Sequence, residues 1–134
     1  MKFIKFYITS AIIFLVLDGL WLGLVAKEFY QNQLDSVINF VVYPLAAGIF
    51  YLIFQAGLLY FAILPGLKVG SWKEGAKRGI LLGGLCYATY DLTNWATIAN
   101  WPVLVVGVDL VWGMIITGVT AGSVVKIFNK EGEI

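Results

Sequence analysis

Three aspartates lie inside the most apolar stretches of this 134-residue chain, at Asp18, Asp91 and Asp109, and no lysine, arginine or histidine is close to any of them in sequence. A charged aspartate in the middle of a membrane-spanning helix costs about 2.5–3.5 kcal/mol on insertion scales. Such side chains usually face the protein interior, where they bind protons, ions or a polar part of a ligand. Because three carboxyl groups without a buried cation would repel one another, we expect at least one to hold a proton.

The composition identifies a membrane protein and excludes several kinds of chemistry. Hydrophobic residues make up 60% of the chain and charged residues 13%, whereas soluble domains carry about 25% charged residues. The net charge of +1 argues against a nucleic-acid partner, which needs a basic surface. There is no histidine, and Cys86 is the single cysteine. This removes histidine-dependent nucleophiles, haem ligation by histidine and ordinary zinc sites, so no metal and no cofactor are predicted.

Four apolar runs predict an all-α integral membrane protein, a four-transmembrane-helix bundle that forms a single domain over residues 1–134. Each run has about the 20 residues needed to cross a bilayer, and unpaired backbone cannot face lipid, so the spans must be helical. Every basic residue except Lys27 lies on one side of this arrangement. The excess of positive charge on that side predicts that both termini are cytoplasmic. The predicted spans are 6–25, 40–64, 80–99 and 103–124.

Local signals predict where the helices begin and end. The segment 71–74, "SWKE", has the form of a capping box, so the third helix is expected to begin before it enters the bilayer. Pro65 and Gly66 are expected to end the second helix. Asn100 is expected to cap the fourth, with Trp101 at the membrane interface. The connection between the last two spans is therefore short, and these spans are expected to be antiparallel neighbours.

Three pairs of glycines with three residues between them predict seams of close helix packing. The pairs on the third and fourth spans are expected to meet near Gly83 and Gly118. Their contact would close the bundle on the cytoplasmic side and leave the acids as the floor of a cavity that opens outward. The three pairs are Gly19 and Gly23, Gly79 and Gly83, and Gly118 and Gly122.

The three acids are expected to share one pocket, because each lies about 7 or 8 residues from the outer end of its span, roughly 10–12 Å deep at 1.5 Å per residue. Aromatic and amide side chains follow the acids at a spacing that places them on the same helix faces. Tyr87 and Asn94 flank Asp91, which is therefore the acid expected to carry the negative charge. The candidate ligand-binding or proton-binding residues are Asp18, Asp91, Asp109, Asn94, Tyr87, Trp21, Trp95 and Trp112.

Three segments, "LDGLWLG", "YATYDLTNWATIANWP" and "DLVWG", together resemble a family of small bacterial inner-membrane proteins that is catalogued as a domain of unknown function. The resemblance covers nearly the whole chain. It implies a multi-pass protein of four helices in the bacterial inner membrane, and it supplies no activity. The single site that it implies contains Asp18, Asp91, Asn94, Trp95, Asp109 and Trp112.

The residues leave three classes of function open. A carboxylate cluster among aromatic rings suits the binding or transport of a small amphipathic cation, with proton exchange coupled to ligand exchange. Alternatively, paired carboxylates could act as acid and base, or hold Mg²⁺ or Ca²⁺, in an intramembrane enzyme for a lipid or isoprenoid. The third class is a structural or assembly subunit. The expected partners are membrane lipids and a small amphipathic ligand, and a homodimer is left open.

Overall fold

A computed structural model describes residues 1–39 and 41–131, and within these residues all regular structure is helical. A π-helical turn, Trp21–Val25, extends the first helix, and a second one, Leu59–Ile63, joins the third helix to the fourth. The α-helices are α1 (Lys2–Leu20), α2 (Lys27–Leu34), α3 (Pro44–Leu58), α4 (Leu64–Val69), α5 (Trp72–Thr97) and α6 (Val103–Phe128).

Within the described residues, three continuous helical stretches are long and apolar enough to cross a membrane: Lys2–Val25, Pro44–Val69 and Val103–Phe128. The α5 helix has the same length as α6, 26 residues, but charged residues in its first two turns and polar residues in its second half make it less apolar. The membrane class of the fold is thus supported, whereas a fourth span remains a prediction. Residue 40, where the second span was expected to begin, lies outside the described residues.

Large apolar side chains cover the outer surface of the long helices. Ile8 of α1, Ile53 of α3, Leu81 of α5 and Leu104 of α6 are all more than half exposed. Contiguous apolar surface of this extent is unusual on soluble monomers and is typical of a lipid-facing surface.

The helices α5 and α6 form a tightly packed antiparallel pair, which confirms the predicted hairpin. A β-carbon at Gly79 would lie 3.0 Å from the α-carbon of Gly118. Gly83 lies instead against the backbone of Gly113 and the hydroxyl of Thr117. The predicted close packing of α5 on α6 is therefore present, but only Gly79 meets Gly118, whereas Gly83 packs against Gly113, five residues before Gly118.

The glycines of α1 do not form a seam. No described atom would come within 4 Å of a β-carbon at Gly19 or Gly23, so this part of the prediction is wrong. Both residues lie on the exposed side of α1 and its π-helical turn, because the buried face of this helix passes through Asp18 and Phe14.

Two of the predicted helix boundaries need correction, and only the Ser71 half of the predicted capping box is present. The Ser71 backbone N–H donates to the Gly66 carbonyl, and the Glu74 carboxylate accepts from Arg78 instead of from Ser71. Ser71 Oγ accepts a hydrogen bond of 3.3 Å from the Glu74 backbone N–H, and α5 begins at the next residue, Trp72. Pro65 does not end the second span, because it lies in the first turn of α4, a position where helices tolerate proline. The helix continues to Gly70, whose φ of 75° is the left-handed conformation that closes many helices.

The turn between α5 and α6 contains Asn100, but this residue does not cap α6. Pro102 holds the capping position, and Asn100 has a φ of 62°. Asparagine tolerates the left-handed conformation better than most residues. Asn100 therefore reverses the chain direction instead of binding a helix N-terminus.

The short helix α2 folds back against the beginning of α6. Leu34 is buried in an apolar cluster with Trp101, Val105 and Val106. A second cluster, of Phe14, Phe54 and Ile116, lies deeper between α1, α3 and α6. The space between these two clusters contains the candidate site.

Candidate functional site: an aromatic cavity with two carboxylates

A cavity of about 600 Å³ lies between α1, α2, α3, α5 and α6. Two carboxyl groups, Asp18 and Asp109, form part of its wall, and none of the described lining residues is basic. We call this space the carboxylate cavity. Its aromatic lining residues are Trp21, Tyr30, Phe50, Tyr51, Tyr87, Tyr90, Trp101 and Trp112.

Asp18 is held by donors from two other helices. Tyr51 of α3 donates its hydroxyl to Asp18 Oδ2 at 2.5 Å, and Trp112 Nε1 of α6 donates to Asp18 Oδ1 at 3.3 Å. Only 7% of Asp18 is exposed. Hydrogen bonds donated to both oxygens favour the ionised form of a carboxyl group.

Asp109 accepts a hydrogen bond from the Tyr30 hydroxyl, which α2 brings into the cavity. The Tyr30 oxygen in turn accepts a hydrogen bond of 3.1 Å from Trp21 Nε1. Burial, together with the neighbouring Asp109 carboxyl, raises the pKa of the Tyr30 phenol well above its ordinary value. Tyr30 therefore remains a hydrogen-bond donor at neutral pH.

The indoles of Trp21 and Trp112 connect the surroundings of the two wall carboxylates. The rings stack with their centroids 4.5 Å apart and their planes within 11° of each other. The Trp112 indole donates to Asp18. The Trp21 indole donates to Tyr30, which in turn donates to Asp109. The two networks therefore meet at this pair of rings.

Asp91 is completely buried, and no donor among the described residues forms a hydrogen bond with either of its oxygens. It interacts electrostatically with Asp109 and with the indole of Trp101, whose Nε1 is also without a partner in the described part of the chain. The expectation that Tyr87 and Asn94 would donate to Asp91 is wrong. On α5 these two side chains leave the helix in directions that do not bring a donor to the carboxyl oxygens.

The structure brings together five of the eight candidate residues on the cavity wall: Asp18, Trp21, Tyr87, Asp109 and Trp112. Asp91 does not line the cavity, but it interacts electrostatically with Asp109, which does. Asn94 is half-buried and interacts with Tyr90. Trp95 is 49% exposed on the outer surface of α5, away from the cavity.

The candidate residues predicted from the sequence did not include Tyr30, Tyr51 or Trp101, although Tyr51 was expected at the depth of the acids. Tyr30 belongs to α2, where it is half-buried and lies four residues before the buried Leu34; this spacing is only a weak local signal of a shared helix face. The prediction that Trp101 lies at the membrane interface is wrong, since only 4% of it is exposed. Its burial depends on Leu34 of α2, so no local signal around Trp101 could have shown it.

Among residues 1–39 and 41–131, no three acidic or cysteine side chains come close enough to hold one metal ion together. The described aspartates therefore do not form the oxygen cage for Mg²⁺ or Ca²⁺ that the sequence had left open. What the arrangement offers is a wall with two carboxyl groups and aromatic faces on several sides. Such a space is suited to a compact positive charge attached to an apolar body.

Comparison with known proteins gives one family. No curated protein and no solved structure matched the chain. A family model described as "Predicted membrane protein (DUF2177)" matches residues 3–125. Since this match covers most of the chain and agrees with the apolar helices of the structure, the protein belongs to the DUF2177 family of membrane proteins.

Proposed function

We propose that the protein binds a small amphipathic cation in the carboxylate cavity. The observation that carries the proposal is the pair of wall carboxylates, Asp18 and Asp109, in a space otherwise lined by aromatic and apolar side chains. A cation over an aromatic face gains about 0.5–2 kcal/mol, more when water is excluded. The carboxylates add an attraction that a neutral ligand of the same shape would not experience.

The same geometry supports coupling of ligand binding to protons. A cation that reaches Asp18 or Asp109 competes with protons for the same oxygens, so its binding should weaken as the pH falls. Asp91 and Asp109 lie close enough to influence each other electrostatically, and such neighbouring carboxyl groups can share protons. The ligand and a proton would exchange at these two carboxyl groups. Because such exchange can drive a ligand across a membrane, we extend the proposal from binding to transport.

Tetraphenylphosphonium is a suitable probe for this proposal, with triphenylphosphine oxide as a neutral aromatic control. We expect the purified protein in detergent to bind the cation more tightly than the neutral compound, and the difference to shrink on acidification. Isothermal titration calorimetry at several pH values would measure both effects. Equal affinity for the two compounds, or no binding of the cation, would refute the proposal.

We further propose that α5 is a fourth span and that both termini are cytoplasmic in a bacterial inner membrane. The support is that α5 packs along α6, a candidate span of equal length. In this orientation all basic residues except Lys27 are cytoplasmic. A fluorescent or phosphatase reporter fused after Lys130 should report a cytoplasmic position. A periplasmic reporter at that site would contradict this topology.

A further inference from the structure

We propose that the stacked indoles of Trp21 and Trp112 form a lateral gate, through which the ligand enters the carboxylate cavity directly from the lipid. This inference rests on the proposed function, since it concerns the route to the same site. It also narrows the ligand class to amphiphiles that first dissolve in the membrane.

The evidence is a second hollow on the other side of the two indoles. A groove of about 820 Å³ runs along the lipid-facing side of α6, and Trp21 and Trp112 line both this groove and the carboxylate cavity. We call it the lateral groove. The other side chains that line it are apolar, and Gly107 widens it, because no described atom would lie within 4 Å of a β-carbon there.

The two indoles are thus a thin partition between lipid and carboxylates. Trp21 belongs to the π-helical turn that extends α1, and such turns are frequent at functional sites because they interrupt the regular helix. A rotation of one indole away from the other would join the groove to the cavity. No backbone displacement of a whole helix is needed for this.

The carboxylates that would bind the ligand also hold the two indoles in place through hydrogen bonds. Trp112 donates to Asp18, and Trp21 donates to Tyr30, which donates to Asp109. A cation that approaches the carboxylates competes for these acceptors and so weakens the hydrogen bonds that fix the indoles. While it crosses, its charge can remain over an aromatic face.

The lateral groove itself selects for an apolar molecular body. Its lining includes three side chains that are about half exposed or more on the lipid-facing side: Val103, Val111 and Ile115. A small hydrophilic cation would find no polar partner on this route. An alkyl or aryl ammonium compound that partitions into the bilayer would travel along it.

A substitution that fills the groove without reaching the cavity tests the gate. In Gly107→Phe, we expect the association and dissociation rates of a fluorescent membrane-partitioned aryl cation to fall about tenfold each, with an equilibrium affinity close to that of the wild type, because an access route changes rates and not the bound state. Stopped-flow fluorescence in liposomes would measure both rates. The matched control is Gly57→Phe on α3, where no described atom would lie within 4 Å of a β-carbon either.

The outcomes separate this inference from the proposed function. If the wild type binds the cation and Gly107→Phe leaves both rates unchanged, the gate is refuted and the binding site stands. A change in affinity without a change in association rate also refutes it. If the wild type does not bind the cation, the proposed function fails first. Should Gly107→Phe not fold, Val111→Trp blocks the same groove from a position that is 52% exposed.

Discussion

Replacing Gly83 with alanine is expected to lower the free energy of unfolding by about 1–3 kcal/mol through overpacking, and leucine at this position by more. A β-carbon at Gly83 would collide with the carbonyl oxygen of Gly113 and lie 2.6 Å from Thr117 Oγ1. Both neighbours belong to the α6 backbone or to a short side chain close to it. Neither can withdraw without separating α5 from α6. Thermal unfolding in detergent would measure the effect.

The adjacent residue Gly84 supplies the control. A β-carbon there would meet the side chain of Met114, at 3.2 Å from Cγ. Methionine is flexible and adapts its shape at small cost, so Gly84→Ala should leave the melting temperature nearly unchanged. Equal melting temperatures for Gly83→Ala and Gly84→Ala would show that the packing of α5 on α6 is not as close as described.

The same packing determines where the α5 side chains of the site lie. One turn beyond Gly83, the ring of Tyr87 packs over Gly113, where a β-carbon would lie 2.8 Å from a ring carbon. Tyr87 thereby becomes part of the cavity wall, and Asp91, one further turn along, is turned toward Asp109. A loss of packing at Gly83 would therefore disturb the site as well as the fold.

Features of the fold with strong local signals could be predicted from the sequence. Examples are the N-cap at Ser71, the short turn before Pro102 and the glycines of α5, each of which depends on a few neighbouring residues. The helix α2 could not be predicted in this way. Its eight residues have no strong apolar pattern, and its position depends on the packing of Leu34 against residues far away in sequence.

Two of the three acids predicted to lie at one depth, Asp18 and Asp109, line the same cavity. Counting residues along a helix gives the height of a side chain, because the rise per residue is constant. This placed Asp18 and Asp109 at the same level. The direction of a side chain around the helix axis depends on which face the neighbouring helices cover. For α5, that face includes Asp91 but excludes Trp95, although the two residues are one turn apart.

The distribution of hydrogen-bond donors also changes which acid is expected to carry the negative charge. The sequence suggested Asp91, on the assumption that Tyr87 and Asn94 would donate to it. In the structure the donors go to Asp18, through Tyr51 and Trp112. Asp91, fully buried and without a donor from the described residues, is better suited to holding a proton next to Asp109.

Asp18→Asn is therefore expected to weaken the binding of tetraphenylphosphonium at neutral pH by roughly tenfold to a hundredfold, since the attraction between opposite charges about 6–8 Å apart at an effective dielectric constant of about 20 is roughly 2–3 kcal/mol. Asp91→Asn replaces a neutral acid by a neutral amide of the same shape, so binding and folding should change little.

Infrared difference spectra of both variants provide a test that does not depend on the ligand. The band of an ionised carboxylate should disappear with Asp18→Asn and persist with Asp91→Asn. The reverse result would return the charge to Asp91 and show that the hydrogen bonds from Tyr51 and Trp112 do not control ionisation at this site.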